Sequence, residues 1–375
     1  MRRRACLGLA GLVAVAGCTS KGSPDPAPPG TGSGASTGAT GTPSRTPTSA
    51  AAAPGPPAVV ATGLNVPWAL AFLPTGEALV SERDTGRILR VPAGGGTPTV
   101  VMRIPGVATD TAEGGLLGLA VSPSYPADHL VYAYHTTRTD NRIVRFPLGG
   151  TVQPILTGLR RGSIHNGGRI AFGPDGKLYA GVGETGMKPL AQQRAALNGK
   201  ILRINPDGSV PAGNPFPGSP VWTYGHRNVQ GLAWDQAGRL WATEFGQNRL
   251  DEVNLIQPGH NYGWPNVEGA GNTHGGTYTN PMVTWPTSQA SPSGAAIIGT
   301  TMYIGALRGQ ALLRVTLDGT RASAAPPLFR NTYGRIRAVA AAPDGRLWFT
   351  TSNRDGRGNP RSGDDKIIAL AVPAG

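Results

Sequence analysis

Two short polar segments carry the residues best suited to acid–base chemistry and to anion binding. Ser163–Arg169 places His165 just before a glycine pair, and Tyr224–Asn228 contains Arg227 and Asn228. An imidazole can serve as a general base near neutral pH, and a guanidinium can bind a carboxylate bidentately or stabilise a developing oxyanion. Taken in isolation, the first segment is also compatible with a structural loop histidine and the second with a solvent-facing turn.

Two further segments suggest an anionic ligand and a metal ion. Arg335 and Arg337 alternate, which places both guanidinium groups on one face of an extended strand. The segment Glu244–Glu252 combines carboxylates with a glycine turn, and loop carbonyls and carboxylates are the oxygen ligands that calcium takes. Its spacing is not that of an EF-hand loop, and two solvated charges are the alternative for the arginine pair.

These segments lie beside the copies of a repeated hairpin. Each copy consists of a strand, a turn with glycine, and a second strand with alternating large residues. The four clear copies are Leu70–Glu82, Ile170–Gly183, Leu232–Glu244 and Val339–Ser352. Two divergent copies, Leu119–Tyr134 and Ala295–Leu307, suggest six units in all.

The spacing of these hairpins predicts the fold. The turn glycines of the clear copies are Gly76, Gly176, Gly238 and Gly345. They are separated by 100, 62 and 107 residues, so that six units recur roughly every 50 residues, a period typical of propellers. We predict an all-β fold over residues 58–375, a six-bladed β-propeller of four-stranded antiparallel blades. The strands that begin at Ala58 and Lys366 are expected to meet and close the ring, and a β-sandwich array is the alternative.

The amino terminus resembles an export signal of the lipoprotein type. Arg2–Arg4 form a positive region, and residues 5–17 form an apolar run that is too short to span a bilayer. The run ends in Val15–Cys18, which resembles the bacterial lipobox. We therefore predict that residues 1–17 are removed by Sec or twin-arginine export and that Cys18 is lipidated. The protein is then expected on the outer face of the cell membrane, and a plain secretory signal is the alternative.

The composition outside the repeats narrows the possible partners. Residues 18–57 are rich in Gly, Ser, Thr, Ala and Pro and lack apolar bulk, which predicts a disordered tether. Cys6 and Cys18 are the two cysteines of the chain, so we expect no disulfide and no cysteine metal site in the propeller. The net charge is +13, but the basic residues are scattered. We therefore expect no nucleic-acid partner, and membrane contact through the lipid anchor only.

With these segments in this order, the chain resembles the glucose/sorbosone dehydrogenase family, and within it the aldose sugar dehydrogenases with short loops. The resemblance covers essentially all of residues 58–373. It is carried by VPWALAFLPTG, EGGLLGLAVSP, HNGGRIAFGPDGKLYAGVGE, GKILRINPDGSVPAGNPF, YGHRNVQGLAWD, DEVNLIQPGHNYGWP, PSG and GRIRAVAAAPDG. Members of this family are soluble or lipid-anchored six-bladed propellers that use pyrroloquinoline quinone (PQQ) with calcium.

The resemblance implies a role for each candidate residue. His165 would take the proton of the sugar's anomeric hydroxyl, and Arg227 would polarise the reacting quinone oxygen. Because PQQ carries carboxylates, a cluster of arginines around it makes electrostatic sense. The implied cofactor-binding residues are Glu113, His165, Arg227, Asn228, Arg308, Arg335 and Arg337. The implied calcium ligands are the carbonyls of Gly246 and Gln247 beside the cofactor, and Glu252 with the Tyr262 carbonyl at a structural site.

Four residues depart from the pattern of the family. Glu113 stands where relatives have a PQQ-binding glutamine, and its carboxylate would face an anionic cofactor unless it is protonated, paired or turned towards calcium. Gln247 replaces a proline, although a carbonyl ligand survives that change. Arg308 stands where the family often has lysine, and Ala338 replaces an acidic residue.

The resulting prediction is PQQ- and calcium-dependent oxidation of a small-molecule aldose to a lactone, with electrons passing to an unidentified acceptor. Both a monomer and a homodimer are compatible with the sequence. Two other classes of function stay open. A calcium-dependent hydrolase of the lactonase type needs carboxylates that converge on a central metal. A non-catalytic, lipid-anchored propeller would bind envelope glycan or protein.

Overall fold

The computed structural model describes residues 54–110 and 112–373. The predicted signal segment, Cys18 and the tether as far as residue 53 lie outside the described residues. Within the described ranges the chain forms six four-stranded antiparallel sheets, which confirms the predicted propeller. In this part of the chain, no helix has the length and apolar character that crossing a membrane requires.

The chain starts with strand β1 and then runs through the blades in order. Strand β1 is Ala58–Ala61, and the first blade is β2 (Pro67–Phe72), β3 (Ala78–Glu82), β4 (Arg87–Val91) and β5 (Thr99–Arg103). The second blade is β6 (Leu116–Val121), β7 (Leu130–Thr136), β8 (Asn141–Pro147) and β9 (Gln153–Leu159), with the short helix α1 (Tyr125–Asp128) after β6. The third blade is β10 (Ile170–Phe172), β11 (Leu178–Val182), β12 (Lys200–Ile204) and β13 (Val221–Tyr224), with a 3₁₀ turn at Lys188–Ala191.

The remaining blades repeat this pattern without helices. The fourth blade is β14 (Val229–Trp234), β15 (Leu240–Glu244), β16 (Leu250–Ile256) and β17 (Val283–Pro286). The fifth blade is β18 (Pro292–Ile298), β19 (Thr301–Ala306), β20 (Ala311–Asp318) and β21 (Arg321–Leu328). The sixth blade is β22 (Ile336–Ala341), β23 (Leu347–Thr351) and β24 (Ile367–Leu370), completed by β1.

The two ends of the described chain close the ring, as predicted. Strand β1 pairs with β24 so that Ala58 lies opposite Ala369 and Val59 opposite Ile368. Before β1, the main-chain N–H of Gly55 donates to the carbonyl of Ala371 at 2.9 Å. The last blade is therefore built from both ends of the propeller sequence.

The repeated hairpins take the conformations that their residue types favour. All four predicted turn glycines have left-handed φ angles between +69° and +85°, which a residue without Cβ adopts at little cost. The second strands β3, β11, β15 and β23 are buried along their whole length, because each is covered by a neighbouring blade on both faces. Aromatic side chains fill the space between blades, and Trp241 and Trp348 are among the largest that are fully buried.

The innermost strands position the site. Strands β2, β6, β10, β14, β18 and β22 contact one another in sequence around a central channel, and β22 returns to β2. In an antiparallel blade, the first strand begins at the edge where the second strand ends. The loops that lead into the innermost strands and the loops that follow the second strands therefore gather at one end of the channel.

Candidate active site

The gathered loops enclose a cavity of about 230 Å³ at this end of the channel. It is lined by Glu113, His165, Arg227, Phe245, Gly246, Gln247, Asp251, Thr287, Ser291, Leu307, Arg308, Arg335 and Arg357. An adjoining cavity of about 30 Å³ shares Glu113, Phe245, Leu307 and Arg357 and includes Arg337. The structure thus brings together most of the residues proposed from sequence, from five different blades.

Larger depressions lie elsewhere on the propeller. A groove of about 610 Å³ runs beside β8, an apolar funnel of about 470 Å³ is formed by the innermost strands, and a depression of about 270 Å³ lies between the turns at Gly76 and Asp344. None of these three contains a residue of the predicted site. Charge and hydrogen-bonding capacity, rather than size, mark the smaller cavity as the candidate site.

His165 is fixed at three atoms in the loop before β10. Its Nε2 lies 2.9 Å from Nη2 of Arg227, and because a guanidinium only donates, Nε2 accepts. Nδ1 therefore carries the proton and donates to Oε1 of Glu184 at 2.5 Å. The main-chain N–H donates to Oε2 of Glu113 at 2.8 Å, at a residue with an uncommon φ of +53°. The imidazole holds a lone pair at Nε2, as a general base must.

The glycine pair after His165 serves packing within the propeller. A Cβ added to Gly167 would lie 2.4 Å from the carbonyl oxygen of Gly181, and one added to Gly168 would lie 2.6 Å from a methyl group of Leu117. These two glycines therefore let the His165 loop pack against its neighbouring strands.

Glu184 lies just after the end of a second strand, where other blades carry a side chain that binds the main chain. In other blades, an acidic or amide side chain at the end of the second strand accepts a hydrogen bond from the main chain that leads into the innermost strand. Glu82 accepts from the N–H of Asn65 at 2.8 Å, and Asn353 accepts from the N–H of Arg335 at 2.8 Å. Glu184, whose side chain is 1% exposed, instead meets the imidazole of His165 and orients it.

Arg227 spans the floor between His165 and the fourth blade. Its Nη1 donates to the carbonyl of Phe245 at 3.1 Å, and its guanidinium lies 5.6 Å from the ring centre of Trp264. Its main-chain N–H donates to Glu244. Burial lowers the pKa of Arg227, against the opposing charges of nearby glutamates. Its Nε is buried without a hydrogen-bond partner among the described residues, so the side chain retains a donor.

Asn228 lies beneath the cavity and does not line it. The residue is 1% exposed, and its Oδ1 accepts from the main-chain N–H of Gly167 at 3.1 Å and from Nε2 of Gln230 at 3.2 Å. In this structure the amide ties the His165 loop to β14. Its contribution to the site is through the placement of that loop.

Arg335 and Arg337 share one carboxylate that the sequence did not indicate. Nε of Arg335 donates to Oδ2 of Asp355 at 2.9 Å, and Nη2 of Arg337 lies 3.9 Å from the same oxygen. Burial would raise the pKa of Asp355, but the two arginines and its hydrogen bonds outweigh burial and lower it. Burial lowers the pKa of Arg337 to about 9, with Arg83 adding to the effect. A second anion is therefore electrostatically favoured beside this pair.

Glu113 is paired across the mouth of the cavity. Its Oε1 lies 2.9 Å from Nη1 of Arg357, and its Oε2 accepts from the main chain at His165. Burial alone would raise the pKa of Glu113, but these two donors outweigh it, and the pKa lies below its usual range. Of the three possibilities considered from the sequence, this structure shows the paired carboxylate.

The segment with the predicted calcium carbonyls is held by two carboxylates. Asp251 accepts from the N–H of Gly246 at 2.9 Å, and Oε1 of Glu268 accepts from the N–H of Gln247 at 2.7 Å. Burial raises the pKa of Asp251 to about 6.

Arg308, the fifth-blade residue of the site, is exposed at the cavity.

Glu252 and Tyr262 lie away from the cavity, near the buried carboxylate of Glu244. Glu252 accepts from the N–H of Gly269 at 2.8 Å and from Nδ2 of Asn254 at 2.9 Å. Burial, with Glu244 nearby, raises its pKa to about 8. Tyr262 stacks on His226 with ring centres 4.7 Å apart. In the described ranges, no three His, Cys, Asp or Glu side chains are arranged to hold a metal, so a calcium ion here would need main-chain oxygen atoms.

Comparison with known proteins places this arrangement in a family. The family model for glucose/sorbosone dehydrogenases matches residues 64–360. The chain belongs to the glucose/sorbosone dehydrogenase family.

Solved and curated relatives agree with this family assignment. The PQQ-bound aldose sugar dehydrogenase of Streptomyces coelicolor is 52% identical, with a TM-score of 0.81 over 86% of this chain and 100% of that one. Quinoprotein glucose dehydrogenase B of Acinetobacter calcoaceticus is 30% identical over 82% of this chain and 87% of its own length. Aldose sugar dehydrogenase YliI of Escherichia coli is 29% identical, covering 80% of this chain and 90% of its own.

For this member of the glucose/sorbosone dehydrogenase family, three further site residues emerge from the structure. Glu184 orients His165, Asp355 holds the arginine pair, and Arg357 pairs with Glu113. Glu184 ends the run GVGE at the end of the third hairpin, and Asp355 lies three residues after the end of the sixth hairpin. Both residues come just after second strands, and the loops at these positions gather at one end of the channel. This position in the sequence could have indicated that they belong to the site.

Proposed function

We propose that this protein oxidises aldose sugars at the anomeric carbon to lactones, with PQQ and calcium as cofactors. The observation that supports this most strongly is the geometry of His165. Its Nε2 holds a lone pair beside a cavity lined by several arginines, and Glu184 holds the opposite nitrogen. This is a base next to a site for a strongly anionic group, as a carboxylate-bearing quinone requires.

The donors that line the cavity fit such a group. Arg227, Arg308 and Arg335 face it, Arg337 lies in the adjoining cavity, and Nε of Arg227 is left with hydrogen-bonding capacity. Guanidinium groups recognise carboxylates by paired, charge-assisted hydrogen bonds. When bound, PQQ would supply the two-electron acceptor for the hydride from the anomeric carbon.

The proton has a path onto this chain. The bond between the anomeric oxygen and its hydrogen breaks, and the proton passes to Nε2 of His165 while the carbon–oxygen double bond of the lactone forms. The imidazolium that results is stabilised by the carboxylate of Glu184, 2.5 Å from Nδ1. Arg227 must release Nε2 of His165 for this transfer, and its Nη2 then becomes available to donate to a bound anion.

Calcium would be held by main-chain oxygens. Gly246 and Gln247 line the cavity, and Asp251 and Glu268 fix the main chain around them. A second, structural ion would be bound by Glu252 and the carbonyl of Tyr262. Hard oxygen ligands of these kinds suit calcium.

The decisive test is dye reduction by the purified protein after it has been stripped with chelator. We expect dye reduction only when both PQQ and calcium are added. We also expect it with several aldoses, because the short loops predict an open, permissive pocket. Activity with PQQ absent, or lactone hydrolysis in place of dye reduction, would overturn the proposal. Sharp selectivity for a single sugar would contradict only the open pocket.

We also propose that the protein is exported and attached to the outer face of the cell membrane through lipid on Cys18. The support is the positive region, the short apolar run and the lipobox-like end at Cys18. Cells that express the wild type should yield the protein in the detergent phase of a Triton X-114 separation. The Cys18→Ser variant should move to the aqueous phase, and equal partitioning of the two proteins would contradict lipidation.

A further inference from the structure

Glu113 and Arg357 come from the second and sixth blades and meet across the cavity. They are 244 residues apart, and their carboxylate and guanidinium lie 2.9 Å from each other. Both line the main cavity and the small cavity beside it. Arg357 has the more exposed side chain, 56% against 23% for Glu113. The pair therefore lies at the junction between the site and solvent.

Arg357 belongs to the same loop that organises the arginine pair. Its main-chain N–H donates to Oδ1 of Asp355 at 3.0 Å, the carboxylate that also holds Arg335. A Cβ added to the following residue, Gly358, would lie 2.9 Å from Cδ of Arg335 and 2.6 Å from the carbonyl oxygen of Asn353. The loop is thus packed closely against the site at Asp355 and Gly358, and the guanidinium of Arg357 reaches across to Glu113.

We propose that Arg357 is an additional binding residue for the carboxylates of the cofactor, and that Glu113 holds its guanidinium over the cavity. This inference rests on the proposed function. It also accounts for the carboxylate at position 113, where the family resemblance led us to expect an amide.

The two oxygens of Glu113 have separate partners, which explains why a carboxylate suits this position. Oε2 accepts from the main-chain N–H of His165 at 2.8 Å and Oε1 accepts from Arg357 at 2.9 Å. The negative charge of Glu113 is offset by Arg357. A guanidinium has five N–H donors, and the bond to Glu113 uses one of them, so Arg357 can bind a second carboxylate while the pair remains intact.

The test compares the PQQ affinity of the wild type with that of variants. Each protein is the full chain, purified in mild detergent with excess calcium, and binding is measured by quenching of tryptophan fluorescence. Arg357→Gln should weaken binding on the order of tenfold, as expected for loss of a charge-assisted contact. It should also reduce the dependence of affinity on salt concentration. The matched control is Arg321→Gln, which removes the same charge from an exposed position on the outermost strand of the fifth blade. Its affinity should stay within about twofold of the wild type, as is usual for a surface change.

A double variant separates direct binding from neutralisation of Glu113. If Arg357 contacts the cofactor, the Glu113→Gln and Arg357→Gln double variant should bind on the order of tenfold more weakly than the Glu113→Gln single variant. Equal affinity of the double variant and Glu113→Gln would show that Arg357 acts only by offsetting Glu113, and would overturn the inference. Equal affinity of Arg357→Gln and wild type would also overturn it and leave the proposed function standing. A wild type that does not bind PQQ would overturn both.

Discussion

Arg227 donates from Nη2 to Nε2 of His165 across 2.9 Å, and this contact determines which imidazole nitrogen is free of a proton. A guanidinium cannot accept a hydrogen bond, so the shared proton belongs to the arginine. On the other side of the ring, Nδ1 donates to Glu184. The three side chains thus define a neutral imidazole with its basic nitrogen towards the cavity.

Replacing His165 should separate catalysis from cofactor binding. The His165→Ala variant should lose roughly 10²- to 10⁴-fold in kcat, the range for removal of a general base. PQQ affinity should change by less than about tenfold, because the arginines that line the cavity stay in place. Steady-state dye reduction and fluorescence titration measure the two effects, with the exposed His260→Ala as control. Near-normal turnover in His165→Ala would remove this residue from the role of base.

Glu184 should act through the position and basicity of the His165 ring. In Glu184→Gln the amide oxygen can still accept from Nδ1–H, but it stabilises the imidazolium less than a carboxylate does. We expect kcat to fall by roughly 10- to 100-fold, since loss of the carboxylate partner that orients a functional histidine typically reduces activity by that factor. The acidic limb of the pH–rate profile should also move to lower pH. A profile that falls in height without moving would indicate a purely structural role for Glu184.

The fold was accessible from sequence because its information is local and repeated. The conformation of a turn glycine such as Gly176 or Gly238 can be predicted from the sequence of its own hairpin. The pairing of β1 with β24 could be predicted because the sequence is strand-like at both ends of the propeller region. The positions of His165 and Arg227 were accessible for the same reason, since each directly precedes an innermost strand.

The partners of these residues were harder to predict because they depend on how the blades meet. The Glu113–Arg357 pair joins the second blade to the sixth across 244 residues, and no local pattern specifies it. Asn228 illustrates the reverse problem, because a residue that is next to Arg227 in sequence does not line the cavity. Its side chain is buried beneath the site instead. The resemblance to a family located the pocket, and side-chain contacts were needed to show which charges offset one another.

Asp355 should stabilise the protein mainly when the cavity holds no anion. Its side chain is 2% exposed, and Arg335 and Arg337 are 11% and 7% exposed, so Asp355→Asn leaves two nearly buried arginines without their carboxylate. Loss of one partner from a buried pair costs on the order of 3 kcal/mol. The melting temperature of the variant should fall, and PQQ should raise it more than in the wild type because its carboxylates replace the lost charge. An equal increase for both proteins would contradict this role.

Calcium should stabilise the protein in a pH-dependent way through Glu252. Burial beside Glu244 raises the pKa of Glu252 to about 8, from 4.5, so the folded protein retains a proton here that the unfolded chain loses. This contribution to stability is present below about pH 4.5 and declines as the pH rises towards 8.

A cation at Glu252 should reverse the loss, because it favours the ionised carboxylate. Without PQQ, adding calcium should therefore raise the melting temperature by several degrees at about pH 8.5, and by less at about pH 6. The Glu252→Gln variant should be more stable than the wild type in chelator at the higher pH, and should lose the larger calcium effect there. Equal calcium effects at both pH values in the wild type would exclude Glu252 as a ligand.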